Sequence, residues 1–479
     1  MTPLYKQSWA VTAVLLNMVG QGMLLSYTTS LLPALQAPDS PIPIDLQTSS
    51  WLSSSIGIAG IPGFFISSAL MERYGRRIAH FILMVPGLLG WLLIYAGNTV
   101  PVLLMGRLLG GMSAGATASL GAIVIGEYSS PKYRGMFLTL KTASVCLGGM
   151  FVHILGHFYD WRTIAMQAMT PYIISLAIIW TWPESPAWLA SKQNYEKCEK
   201  NFYYLRGNAA EAQRELEDML QSQMSRASQT TKQLSLRQKM IEFFKKFTKK
   251  NFLGPMFILL SSTVLLEASG RHIFPAYALQ IISEITGSKS QSYYYTLCID
   301  AIITVSAVCS SILVNVMRRR TLLLSTGLAA CSVLMVVCTY LFLVARGFIS
   351  EDYHFIPIGL FVMYFILANL GCSPIPVALL GELYPLEHRG VGSAVTGVFI
   401  SLGVNLALLL TPYLLVSIKV YGTFAVLGLV MAVNLTILYY TLPETKDRTL
   451  QEIEDYFVDG QFKDNRNIKE SQVTVKMLK

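Results

Sequence analysis

The sequence predicts an all-α membrane protein of twelve transmembrane helices in two six-helix, pseudo-symmetric halves. Three observations predict it. First, 53% of the 479 residues are hydrophobic and only 14% are charged, against about 25% charged in soluble domains. Second, apolar runs of the roughly 20 residues that a bilayer crossing needs recur along the chain. Third, these runs fall as six, a polar break, and six. So few charges cannot cover a globule of this size, which argues against a soluble enzyme, a disordered chain or a nucleic-acid binder.

In order, the first six runs lie near 8–32, 52–71, 79–97, 101–126, 136–157 and 165–182. The N-terminus has no basic leader and no small-residue cleavage site, so the first run is expected to be a retained span. The polar stretch 183–251 is expected to be a linker with two short amphipathic helices, 193–205 and 209–224, the second with Glu211, Arg214 and Glu215 on its polar face. Lys245, Lys246, Lys249 and Lys250 then precede the seventh span, where anionic headgroups would meet them. The remaining runs lie near 252–284, 293–316, 321–345, 355–382, 390–416 and 420–442. The expected units are thus two bundles, 1–182 and 252–442, the linker between them, and a polar tail over 443–479.

The net charge is +9. Its basic residues cluster in alternate loops: Arg73, Arg76 and Arg77; Lys132 and Arg134; Arg318, Arg319 and Arg320; Arg389. The other loops are short or acidic, with Asp39, Asp45, Glu351 and Asp352. Basic loops face the cytoplasm, so a multi-pass protein of the cell membrane with both termini cytoplasmic is expected. Six of the seven cysteines lie in apolar stretches, and their spacing gives no disulfide framework.

The halves repeat one another. Glu127 and Arg134 near the end of the fourth span answer to Glu382 and Arg389 near the end of the tenth. Glu184 after the sixth answers to Glu444 after the twelfth, and Glu72, Arg73, Arg76 and Arg77 answer to Arg319 and Arg320. Paired six-helix halves predict a rocking transporter with its substrate held between them at mid-membrane. The recurring acids and arginines are expected to form a cytoplasmic latch that pairs across the boundary of the halves and parts as the cavity opens.

These motifs carry a resemblance. Glu72-Arg73-Tyr74-Gly75-Arg76-Arg77, Pro183-Glu184-Ser185-Pro186, Gly381-Glu382-Leu383-Tyr384-Pro385 and Pro443-Glu444-Thr445-Lys446 resemble the signature loops of the sugar porter family of the major facilitator superfamily. The match spans nearly all of 10–458 and is most similar to the insect trehalose-transporting branch. The resemblance implies facilitative, uniport sugar transport of the trehalose or hexose class by alternating access. It implies a small-molecule substrate and the lipid bilayer as partners, no nucleic acid, and a functional monomer. Neither an enzyme nor a cofactor or metal is expected, because no nucleophile or ligand constellation is present.

The binding segment departs from the family pattern. The seventh-span amides that hold hexose are replaced by Glu267, Arg271 and His272 around a retained Ser269-Gly270. The other expected cavity positions are Thr28, Thr142, Asn369, Ser401 and Asn405. Losing amides leaves sugar hydroxyls unpaired at about 1–3 kcal/mol each, which keeps a charged, non-sugar metabolite or a non-transporting sensor open as alternatives. Glu267 and Arg271 are four residues apart and are expected to pair on one helix face. Thr28 stands where proton-coupled relatives carry an acid opposite the span-four arginine, here Arg107, which favours uniport. His153 and His157, four apart on the fifth span, are expected to line the cavity or its interface.

Overall fold

The computed structural model describes residues 2–229, 250–350, 355–384, 389–446, 453, 456 and 457. Among them, ten helical segments are long and apolar enough to cross a membrane. Two are double length: α3 (Leu46–Ala96) has 51 residues and α16 (Arg389–Thr441) has 53. At 1.5 Å per residue, α3 alone would reach about 76 Å, over twice a bilayer core of about 30 Å. Each is broken once, α3 at Gly75 (φ 89°) and α16 at Lys419 (φ 57°). Counting each limb as one crossing gives twelve spans.

The first half holds α1 (Pro3–Ser26) with α2 (Thr28–Gln36), the two limbs of α3, α4 (Val100–Tyr128), α5 (Pro131–Phe158) and α6 (Trp161–Ile179). The second half holds α10 (Lys250–Ala268) with α11 (Ile273–Thr286), α12 (Lys289–Val316), α13 (Arg319–Ala345), α14 (Phe355–Leu370) with α15 (Pro374–Glu382), and the limbs of α16. Three crossings are therefore built from two helices: α1/α2, α10/α11 and α14/α15. Between the halves stand α7 (Pro186–Ser191), α8 (Tyr195–Arg206) and α9 (Ala210–Gln229). They enclose a small core of their own around Leu189, Cys198, Phe202 and Leu216. Arg206 fastens α8 to the end of α4 by donating to the carbonyls of Tyr128 (2.9 Å) and Ser129 (2.6 Å).

Helices in lipid gain little from hydrophobic association, so close backbone approach and buried hydrogen bonds hold them. The first limb of α3 meets α4 in this way, since a Cβ on Gly115 would stand 2.4 Å from the Gly60 carbonyl oxygen. The halves meet along the first limb of α3 against the first limb of α16, α5 against α12, and more narrowly where α11 meets α2 and the start of α3. The start of α1, the end of α16 and α7–α9 lie at one end of the bundle, together with Arg73, Arg76, Arg77 and Arg318–Arg320. We call this the basic end.

Candidate functional site

The site is built on a broken helix. The seventh crossing unwinds after Ala268 and resumes at Ile273, with Gly270 at φ +72°, a conformation open to glycine. The break changes the chemistry of the segment. Glu267 and Arg271 no longer share a helix face, so the expected pair between them does not form. Glu267 instead accepts a 2.8 Å bond from His272 Nδ1, while its other carboxylate oxygen is buried without a partner. Arg271 turns to the tenth crossing and donates to the Ser373 hydroxyl at the start of α15.

Arg271 and His272 open onto a cavity between the halves. The first half supplies Gly22, Ser26, Cys146 and Gly149 to its wall; the second supplies Ser269, Asp300, Ile303, Phe365 and Asn369. Its volume is about 50 Å³, where one water needs roughly 10–15 Å³ on the same scale. Several waters fit and a sugar ring does not, so the cavity must widen to take one.

Of the residues singled out from the sequence, Arg271, His272 and Asn369 line this cavity. Glu267 stands behind His272. Thr142 lies one turn before the lining Cys146 and is not part of the wall. Thr28, Ser401 and Asn405 sit on the seams instead. Thr28 donates to the Ala276 carbonyl (2.9 Å) and Asn405 to the Ser54 carbonyl (2.9 Å), each from one half to the other. Ser401 Oγ lies against Gly60.

The seams carry further struts. Tyr277 donates to Ser53 Oγ (2.6 Å) and to the Leu408 carbonyl (2.9 Å). His153 Nδ1 and Asp300 Oδ2 are 2.5 Å apart, with both side chains buried (0% and 7% exposed), and His157 stacks on Tyr293 with ring centroids 4.0 Å apart. Thus His153 and His157 each hold a separate partner on α12. Asp300 was not singled out from the sequence, although a carboxylate inside an apolar span is itself a signal. All of these struts lie level with the cavity or on its side away from the basic end.

Arg107 is wholly buried in the first half. Its guanidinium donates to the carbonyls of Leu24 (2.5 Å), Leu52 (3.1 Å) and Ser53 (3.5 Å). Backbone dipoles thus occupy the place of an acid.

At the basic end the acids and arginines form two matching joints, each inside one half. Glu184 accepts from the backbone N–H groups of Arg76 (2.7 Å) and Arg77 (3.3 Å), capping the second limb of α3. Arg76 clasps Glu127 with two bonds of 2.7 and 2.8 Å, and Ser185 donates to the same carboxylate. In the second half Glu444 accepts from the N–H groups of Arg319 (3.0 Å) and Arg320 (3.2 Å), capping α13. The expected latch had such pairs crossing between halves. These do not, because each carboxylate finds unpaired N–H donors at the start of an earlier helix of its own half. Trp188 Nε1 donates to the Glu72 carbonyl, and Arg73 lies over the Tyr74 ring. The side chains of Glu382 and Arg389 lie outside the described residues, and Arg134 lies at the start of α5.

With this geometry in place, comparison with known proteins is specific. Residues 22–457 match the family described as "Sugar (and other) transporter". The chain belongs to this family. Similar proteins include the facilitated trehalose transporter Tret1 of Drosophila grimshawi, 26% identical over 94% of this chain and 48% of its own length. A Tret1-2 homolog from Drosophila sechellia is 27% identical over 94% of this chain and 90% of its own. Several of these relatives are longer proteins, of which the present chain spans about half. Among solved structures, the proton:xylose symporter XylE bound to 6-bromo-6-deoxy-D-glucose superposes with a TM-score of 0.74 at 19% identity, covering 95% of this chain and 100% of that one. The inward-open form of the xylose transporter XylE from E. coli gives 0.74 at 17% identity, covering 95% and 99%. The fold is that of the major facilitator superfamily.

Proposed function

We propose that this sugar transporter family member is a facilitative, uniport carrier of a sugar of the trehalose or hexose class, working by alternating access. One observation carries the proposal: a largely apolar cavity at the meeting of both halves, with a few polar side chains such as Arg271, His272 and Asn369 in its wall and inter-half struts level with it or on one side. Unwound segments at the crossing of two repeats are where such carriers hold substrate. Rocking about the seams would open the cavity to each side in turn. Uniport is supported by Arg107, whose charge is met by carbonyls and leaves no first-span carboxylate to load with a proton.

The proposed units are the bundles 1–182 and 252–442, the linker 183–251 and the tail 443–479. Both termini face the cytoplasm of the cell membrane in this proposal, because the arginine-rich loops lie at the end of the bundle where α1 begins and α16 ends. The joints at Glu184 and Glu444 act as stiffeners of each half, and the latch role passes to the struts of the opposite end. Counterflow of labelled glucose and trehalose in proteoliposomes tests the proposal. Saturable exchange without a proton gradient is expected. Absence of exchange for every mono- and disaccharide tried would overturn it.

A further inference from the structure

We infer that the cavity takes a sugar acid, a sugar-sized polyol bearing one carboxylate, with Arg271 as the residue that selects it. The inference rests on the transport proposal and deepens its substrate class. Arg271 lines the cavity, and its bond in the structure is to the neutral Ser373 hydroxyl. Among the described residues no acid is ion-paired with it. A cation in mid-membrane is costly unless it meets a partner or a wet cavity, and a guanidinium offers five donors in a planar fork that fits a carboxylate.

Two carboxylates stand nearby, and both are engaged. Glu267 is bonded to His272, and Asp300 is held by His153 across the seam. Neither is bonded to Arg271. A second cation, Lys141, is close enough to interact with Arg271 electrostatically, and its ammonium is met by the Ala118 carbonyl (2.6 Å) rather than by an acid.

The backbone adds positive potential at the same place. The helices α11 and α15 both begin beside Arg271, at His272 and Ser373, and neither residue caps its helix with a side-chain bond. The start of a helix carries partial positive charge, and half-helix N-termini in carriers are aimed at anionic groups of the substrate. Asn369 and Ser269 on the same wall supply neutral partners for hydroxyls. The wall therefore combines Arg271, an acid already held by His153 (Asp300) and hydroxyl-binding groups, which leaves Arg271 to meet the carboxylate of a hexose that carries one.

The test uses the full chain in proteoliposomes with labelled D-glucuronate, D-glucose and trehalose. Saturable glucuronate exchange is expected. An imposed inside-negative potential should slow glucuronate entry and leave entry of the neutral sugars unaffected, because the anion carries charge across. Arg271→Gln should lower the ratio of glucuronate to glucose exchange at least tenfold, with Arg271→Lys in between. If glucuronate neither exchanges nor raises the melting temperature of the purified wild-type protein, the inference is overturned, whatever the neutral sugars do. Exchange of glucose or trehalose in that case leaves the transport proposal standing, and exchange of nothing removes both.

Discussion

His153 and Asp300 form a buried charge-bearing contact between the halves, joining α5 to α12. A hydrogen bond to a charged group contributes about 1.5–3 kcal/mol, which is roughly a tenfold to hundredfold change in a two-state balance. Asp300→Asn should therefore raise labelling of cysteines introduced on the far side of the cavity by at least several-fold. Glu184 works differently. Burial pushes its carboxyl above the usual carboxylate range, more strongly than the N–H groups of Ser185, Arg76 and Arg77 pull it down. The folded protein thus binds this proton more tightly than the unfolded chain does. Its contribution to stability is fullest below the ordinary carboxylate value and is lost as pH rises through the raised one. Glu184→Gln should flatten that part of the stability profile, which melting curves across the mildly acidic range will show. Glu267 illustrates what the sequence hid at this scale. A four-residue spacing implies a shared helix face only while the helix is intact, and the turn at Gly270 redirects Glu267 to His272. Asp300 was hidden for another reason: its partner lies 147 positions away, beyond any local pattern.

At the scale of elements, close backbone contact sets what can change. A Cβ at Gly75 would stand 2.5 Å from Glu184 Oε2, at a φ of +89° that side chains seldom adopt. Gly75→Ala should cost about 1–3 kcal/mol and lower the melting temperature measurably. Gly57 is a seam position, where a Cβ would meet the Asn405 backbone nitrogen at 2.5 Å. Gly57→Leu should pry α3 from α16 and slow sugar exchange, with overpacking costs of about 1–3 kcal/mol. The crossings themselves were legible from hydrophobic length, because a bilayer core sets a minimum run. Their internal breaks were not. The joint of α1 and α2 at Tyr27 keeps helical backbone angles and falls within an unbroken apolar stretch, so composition alone does not mark it.

For the whole molecule, the repeat in sequence foretold two bundles, and the matched joints at Glu184 and Glu444 are its physical counterpart. Motion between the bundles can be tested directly. Cysteines placed at His153 and Asp300 in a background free of the seven native cysteines, joined by a short bifunctional reagent, should stop exchange, and a cleavable linker should restore it on reduction. Continued flux through the joined protein would rule out rocking about this seam. The site was legible where signature loops fixed the register, as for Arg271, His272 and Asn369. It was illegible where a residue's role depends on which half faces it, as for Thr28 and Asn405.

Arg107 has one more consequence. A carrier whose deepest fixed cation is satisfied by immobile carbonyls has no titrating counterweight there to tie its cycle to an acid bath. Flow through it would stop once the solute reached equal activity in both compartments, and would reverse whenever that difference changed sign, so the cell that houses it would control delivery by consuming what arrives.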